Sequence, residues 1–161
     1  MPSIHTLRTD LPLAAITGYT PTADDLAGLD RWWTTYDALA ERSAIERMAA
    51  LGAFPMNLVT DDAEHRPVTG QWSRDQYVDT MTHVMGDGGA GDAGSTDAVS
   101  FDSTRTPLFL GPSIVVVFSR STMTVGGVRH QLDYADVLVR DADGWRFQTM
   151  IQPGWAEAMA G

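Results

Sequence analysis

Two residues in one short run have the types and spacing for acid–base chemistry. Tyr134 and Asp136 lie in LDYADVLVRDADGWRFQTMIQ, Leu132 to Gln152, a run otherwise rich in apolar and β-branched residues. Residues two apart on a strand share a face, so a phenol and a carboxyl group would look the same way, roughly 7 Å apart. A carboxyl set among aromatic and aliphatic groups has two possible fates. Either it is hydrogen-bonded by Tyr134, an arginine or backbone N–H groups, or its proton affinity rises and it serves as a pocket acid or base. Both readings stay open on these residues alone.

The elements around the pair decide what it faces. Asp143-Gly144 is a tight-turn signal, and pairing Ala142 with Trp145 puts Asp136 opposite Ile151 and Leu138 opposite Thr149. Trp145, Phe147, Thr149 and Ile151 then share the face of Tyr134 and Asp136, while Arg146, Gln148, Met150 and Gln152 take the other. A slip of one residue exchanges the two sets. Upstream, Val99 to Leu110, Ser113 to Val125 and Val128 to Arg140 read as further strands of a meander, punctuated by Gly-Pro and Gly-Gly.

Helices precede the meander. Thr22 with Asp25 marks a helix start, and Leu26, Leu29, Trp33 and Tyr36 recur at helical spacing. Ser43 and Glu46 have the spacing of a capping box for a short helix over Ala44 to Leu51, with Gly52 as its stop. FPMNLVTDD, Phe54 to Asp62, reads as a strand. Ser73 and Gln76 cap a third helix, on which Tyr77, Met81 and Val84 share one face. Helices followed by an antiparallel meander, with one strand inserted early, define an α+β layer arrangement in a single domain over residues 21–156. Residues 1–20 form an N-terminal arm, and the Gly-rich run 86–97 is expected to be a flexible loop. Its Gly88-Gly89-Ala90-Gly91-Asp92 approaches a calcium-binding repeat, but the aspartate comes one place early and no tandem copy follows.

Other candidates surround the pair. Asn57 breaks an apolar strand and faces either the pocket or a sheet edge. His83 lies on the third helix, where it could reach a cavity or pair with Asp79 on the helix flank. Arg105 and Arg120 could hold a substrate carboxylate or neutralise nearby acids. Trp72 and Trp155 suit core or rim packing, and Trp155 could also lid a cavity. The four histidines, 5, 65, 83 and 130, show no metal-ligand spacing. There is no Gly-x-Ser-x-Gly elbow and no phosphate-binding glycine loop.

Composition limits the partners. The 161 residues carry 21 acids against 11 basic residues, a formal charge of −10, which disfavours nucleic acid and anionic membranes. Without cysteine, thiolate nucleophiles and zinc-thiolate sites are excluded. LPLAAITG is too short and lacks the basic run of a signal peptide, and no apolar run reaches a spanning length. A soluble, cytoplasmic protein is the expectation.

Taken in order, the helical stretch Leu26 to Leu51, the strand FPMNLVTDD, the helix GQWSRDQYVDTM and the closing YADVLVRDADGWRFQTM resemble the nuclear-transport-factor-two-like superfamily. That group includes ketosteroid isomerases, SnoaL-like polyketide cyclases and scytalone-dehydratase-like proteins. The resemblance covers most of Thr22 to Gln152. It implies a cone-shaped, strongly curved, mostly antiparallel sheet wrapped by three N-terminal helices and enclosing a pocket. It also implies a homodimer through the sheet's outer face and a small apolar organic ligand or substrate. The chemistry would be isomerase, cyclase or dehydratase chemistry on a carbonyl compound, without cofactor or metal. Asp136 would be the acid or base and Tyr134 the hydrogen-bond donor, with Asn57, Trp72, Tyr77, Met81, His83, Arg105, Phe147 and Trp155 around the substrate. A non-catalytic ligand-binding or dimerisation domain of the same fold is the alternative. The tyrosine–aspartate–aspartate set of the ketosteroid isomerases and the paired strand histidines of scytalone dehydratase have no match here.

Overall fold

The longest helix begins where its N-terminal residues can satisfy free backbone N–H groups. In a computed structural model describing residues 4–86, 100–125 and 127–159, α2 runs Ala23–Ala40. Thr22 Oγ1 accepts from the Asp25 N–H at 3.1 Å, and Asp25 Oδ2 accepts from the Thr22 N–H at 2.8 Å, a reciprocal cap. The helix buries Leu29, Trp32, Trp33 and Leu39. Ser73 and Gln76 cap α4, Arg74–Met81, in the same way, and a wide π-type turn, Thr82–Gly86, extends it. The cap expected at Ser43 and Glu46 does not form. Ser43 has φ 50°, outside extended geometry, so α3 is only Ile45–Ala49, starting at Ala44 without a side-chain cap. Gly52 opens a strand instead of stopping that helix.

Among the described residues, seven strands make one sheet in the order β1-β4-β5-β6-β7-β2-β3. They are β1 Ile4–Leu7, β2 Gly52–Asp61, β3 Pro67–Trp72, β4 Ser100–Gly111, β5 Ile114–Val125, β6 Val128–Asp141 and β7 Gly144–Ile151. Two pairings are parallel, β1 with β4 and β2 with β7; the rest are antiparallel. Two four-residue helices, α1 Ala14–Thr17 and α5 Ala156–Met159, complete the α+β architecture. The sheet is strongly curved and does not close, and α2, α3 and α4 pack on its concave side around Leu29, Trp33, Met48, Leu58, Tyr77 and Phe147. The calcium reading of 88–92 lies outside the described residues. Among the described residues, no helix is long and apolar enough to cross a membrane.

The last hairpin departs from the sequence expectation. Asp141 pairs with Gly144, and Arg140, not Ala142, pairs with Trp145. A bulge between Val137 and Leu138 then puts Leu138 opposite Phe147 and Asp136 opposite Met150. One extra residue on β7, Gln148, resets the alternation. Met150 therefore joins the face of Asp136, and Thr149 turns to the outer face with Val137.

Candidate functional site

Across β4, β5 and β6 the concave face is a ladder of side-chain rows. The first row, Phe109–Val115–Leu138–Phe147, is apolar and buried. The next is Pro107–Val117–Asp136–Met150, then Arg105–Ser119–Tyr134, then Ser103–Ser121–Leu132. α2 covers the apolar end: Trp32 and Tyr36 meet the Phe147 ring edge-on, each at 4.7 Å between centroids. Over the polar rows the layers part, leaving a cavity of about 240 Å³. Its polar side carries Ser103, Arg105, Ser121, Tyr134 and Asp136, and its apolar side Met81, Met85, Phe147, Met150 and Trp155.

Asp136 occupies the boundary row. It is 4 % exposed, its cross-strand neighbours are Val117 and Met150, and its carboxyl makes no hydrogen bond to any described residue. Burial raises its pKa to about 7, with the Arg105 charge pulling weakly the other way. Tyr134 continues the same face. Its hydroxyl meets Ser121 Oγ at 3.2 Å, and Ser121 Oγ meets Ser103 Oγ at 2.6 Å, a chain of three hydroxyls along the cavity wall.

Arg105 is committed elsewhere. Its Nη1 and Nη2 donate to the two Asp37 carboxylate oxygens at 2.7 and 2.8 Å, and the guanidinium lies over the Trp33 ring at 3.9 Å. Nη1 also donates to His5 Nδ1 at 2.9 Å. Because guanidinium cannot accept, His5 Nδ1 is the unprotonated nitrogen, and Nε2–H donates to Asp30 at 3.1 Å. Burial, then the Arg105 charge, lowers the His5 pKa, keeping that tautomer neutral. Among the described lining residues Arg105 is the one cation, and Asp37 neutralises it, so Asp136 has no counter-ion among them.

Of the residues singled out from sequence, Asp136, Tyr134, Arg105, Met81, Phe147 and Trp155 meet at this cavity. Five stand outside its lining. Asn57 lies on the outer face between Thr149 and Gln71, accepting from Gln71 Nε2 at 3.0 Å. Tyr77 is fully buried in the core, and Trp72 packs against it with centroids 6.2 Å apart. Burial pushes Tyr77 up to about 12, against a smaller opposing effect of the Tyr36 side chain, although the two hydroxyls do not meet as a well-formed hydrogen bond. His83 is exposed. Arg120 pairs with Asp133 in the open at 2.8 Å.

Sequence reasoning missed Tyr36, Asp37, Ser103, Ser121 and Met150. Serines at 103, 119 and 121 alternate with other residues in two strands, which is a legible period-two signal; which face they take is not. The Asp37–Arg105 pair spans 68 positions and has no local trace.

No protein-family model matches the chain, and no curated protein sequence does either. Solved structures do match in shape. A domain of unknown function with a cystatin-like fold from Nostoc punctiforme superposes with TM-score 0.60 at 12% identity, over 83% of this chain and 78% of that one. A ketosteroid isomerase-like protein from Erwinia carotovora atroseptica gives 0.52 at 15% identity, over 82% and 97%. A protein from Xanthomonas campestris described as a calcium/calmodulin-dependent protein kinase II association domain gives 0.54 at 18% identity, over 94% and 96%. The chain has the nuclear-transport-factor-two-like cone fold, the fold of these neighbours.

Proposed function

We propose that this is a SnoaL-like pocket protein that performs cofactor-free isomerisation, cyclisation or dehydration of a small apolar carbonyl compound. The observation that carries the reading is the Asp136 carboxyl: buried, without a hydrogen bond, facing a cavity, with a pKa of about 7. A base with that affinity takes a proton from the carbon next to a carbonyl and gives it back at working pH. Tyr134, held by Ser121, donates its O–H to the oxygen that becomes negative as the C–H bond breaks. Returning the proton to a different carbon isomerises the compound; giving it instead to a β-hydroxyl, whose C–O bond breaks as the C=C bond forms, releases water and dehydrates it. Met81, Phe147, Met150 and Trp155 supply the apolar contacts, and Arg105 acts by neutralising Asp37 rather than by holding a substrate carboxylate.

Deuterium exchange reads the first step without knowing the full reaction. In D2O the protein exchanges the α-protons of small cyclic ketones, the rate rising with pH through about 7 as Asp136 ionises. Asp136→Asn abolishes exchange and keeps the fold. Retained exchange in that variant removes Asp136 from the mechanism.

The second reading, a non-catalytic ligand-binding or dimerisation domain, is favoured by the sheet's outer face. Leu110, Ile114 and Phe118 are 53, 42 and 52% exposed there, and one fold neighbour is named for association. A homodimer through this face buries them. Phe118→Asp then yields a monomer by sedimentation, while a wild-type protein already monomeric refutes the dimer.

A further inference from the structure

We propose that a second cleft, between α2 and the β6–β7 turn, binds a compact oxyanion: a phosphate or carboxylate group. The cleft has a volume of about 520 Å³ and shares no residue with the Asp136 cavity. The Trp32 and Phe147 rings, edge to face at 4.7 Å, stand between the two. The inference is therefore independent of the catalytic reading.

Three observations meet there. First, the Nε1–H groups of Trp32 and Trp145 are buried without any acceptor among the described residues, and both residues line the cleft. An indole nitrogen only donates, so the missing partner must be an acceptor. Second, the missing side chain of Gly28 leaves room beside one of those donors. A β-carbon at position 28 would lie 3.9 Å from Trp145 Nε1 and 3.9 Å from Arg31 Nη2, with nothing nearer. An oxygen seated about 1 Å nearer to those two side chains than that point would lie within hydrogen-bond distance of Trp145 Nε1 and Arg31 Nη2. Third, Arg31 makes no ion pair with any described residue, in a chain whose formal charge is −10.

The surrounding charges fit an anion. Arg140 pairs with Asp25 at 2.8 Å and lies over the Trp145 ring at 4.9 Å. Arg146 pairs with Asp141 at 2.9 Å and reaches Asp143 at 3.6 Å. Two carboxylates line the cleft, Asp24 and Asp143; both are exposed, and Asp143 faces Arg146. Arg31 is the guanidinium left for an incoming ligand, and its planar fork suits the paired oxygens of a carboxylate or phosphate.

Indole N–H resonances provide the test, since the protein has five tryptophans and Trp145→Phe assigns one of the peaks. Titrating the intact protein with inorganic phosphate moves the Trp145 indole proton downfield and saturates, whereas chloride at equal ionic strength does not. Acetate is the second arm: a tighter response to phosphate assigns phosphate esters, a tighter response to acetate assigns carboxylates. Arg31→Gln weakens binding by about tenfold, the loss expected for one charge-assisted hydrogen bond. Gly28→Ala abolishes the shift by filling that room, while raising the melting temperature, because alanine suits a helix interior better than glycine. That combination separates a binding role from a structural one. Absence of a saturable shift, or a shift unchanged in both variants, overturns the proposal.

Discussion

Two aspartates of this protein are each only 4 % exposed, yet one lies near the surface and the other deep in the fold, and their pKa values diverge. Asp25, in the first turn of α2, accepts from the Thr22 N–H at 2.8 Å, the Tyr19 hydroxyl at 2.9 Å and Arg140 Nη1 at 2.8 Å. The Thr22 backbone bond, with help from Tyr19 and Arg140, holds it down at about 2 despite burial. Asp136 has no such donors among the described residues, and burial lifts it to about 7. Depth and donors act together: Asp25 lies near the surface among three donors, and Asp136 lies deep in the fold with none among the described residues. The one at the helix start is a strut, and the one on the strand faces the cavity with a raised pKa.

Breaking the strut has the largest expected effect. Asp25→Ala removes the cap and leaves Arg140 facing a void, and should cost about 3 kcal/mol by urea denaturation at pH 7. A cost below 1 kcal/mol would mean that Arg140 and water replace it. Asp25 has a lowered pKa, so its contribution is complete above pH 4 and disappears as pH falls through about 2.

The opposite sign is expected at the strand. Asp136 has a raised pKa, so the native state holds its proton more tightly than the unfolded chain does. Stability therefore falls as pH climbs from about 4 through about 7 and stays reduced above. Asp136→Asn removes that penalty. It should stabilise the protein by about 2 kcal/mol at pH 8 and hardly at all at pH 4, as read from melts at the two pH values. A destabilised variant at pH 8 would show that the carboxylate is structural.

Smaller changes sharpen the contrast. Val117 lies directly across from Asp136, so Val117→Thr brings a hydroxyl of matching shape within reach. One donor should lower the Asp136 pKa by about one unit, followed by ¹³C carboxyl titration. An unmoved value would mean that desolvation overwhelms a single hydrogen bond. Ser121→Ala breaks the hydroxyl chain to Tyr134 and should cost about 1 kcal/mol. It should also slow ketone exchange without shifting its pH midpoint, and a shifted midpoint would tie the serine to Asp136 itself.

Much of the fold was legible because it is local. The Thr22–Asp25 and Ser73–Gln76 caps, the strand over 54–61 and the β6–β7 turn all rest on neighbours within a few residues. The failures were also local rules, overridden. Ser43 and Glu46 have capping-box spacing, but the chain must turn sharply from α2 into α3, and Ser43 takes positive φ to do so. The hairpin pattern predicts alternation without a break, and one bulged residue moved Met150 inward and Thr149 outward. Asn57 breaks an apolar strand as a pocket residue would, yet the pleat turns it away from the cavity.

What the amino-acid order determines by itself is which residues share a strand face: Tyr134 with Asp136, and Ser119 with Ser121. That follows from the two-residue period of a strand. Tertiary structure alone decides what each face meets. Asp37 arrives from α2 to occupy Arg105, α2 seals the apolar rows but not the polar ones, and the carboxyl on the boundary row is left without a hydrogen-bond partner among the described residues. Proton affinity depends on every charge and donor within a few ångströms, and those come from segments far apart in the chain.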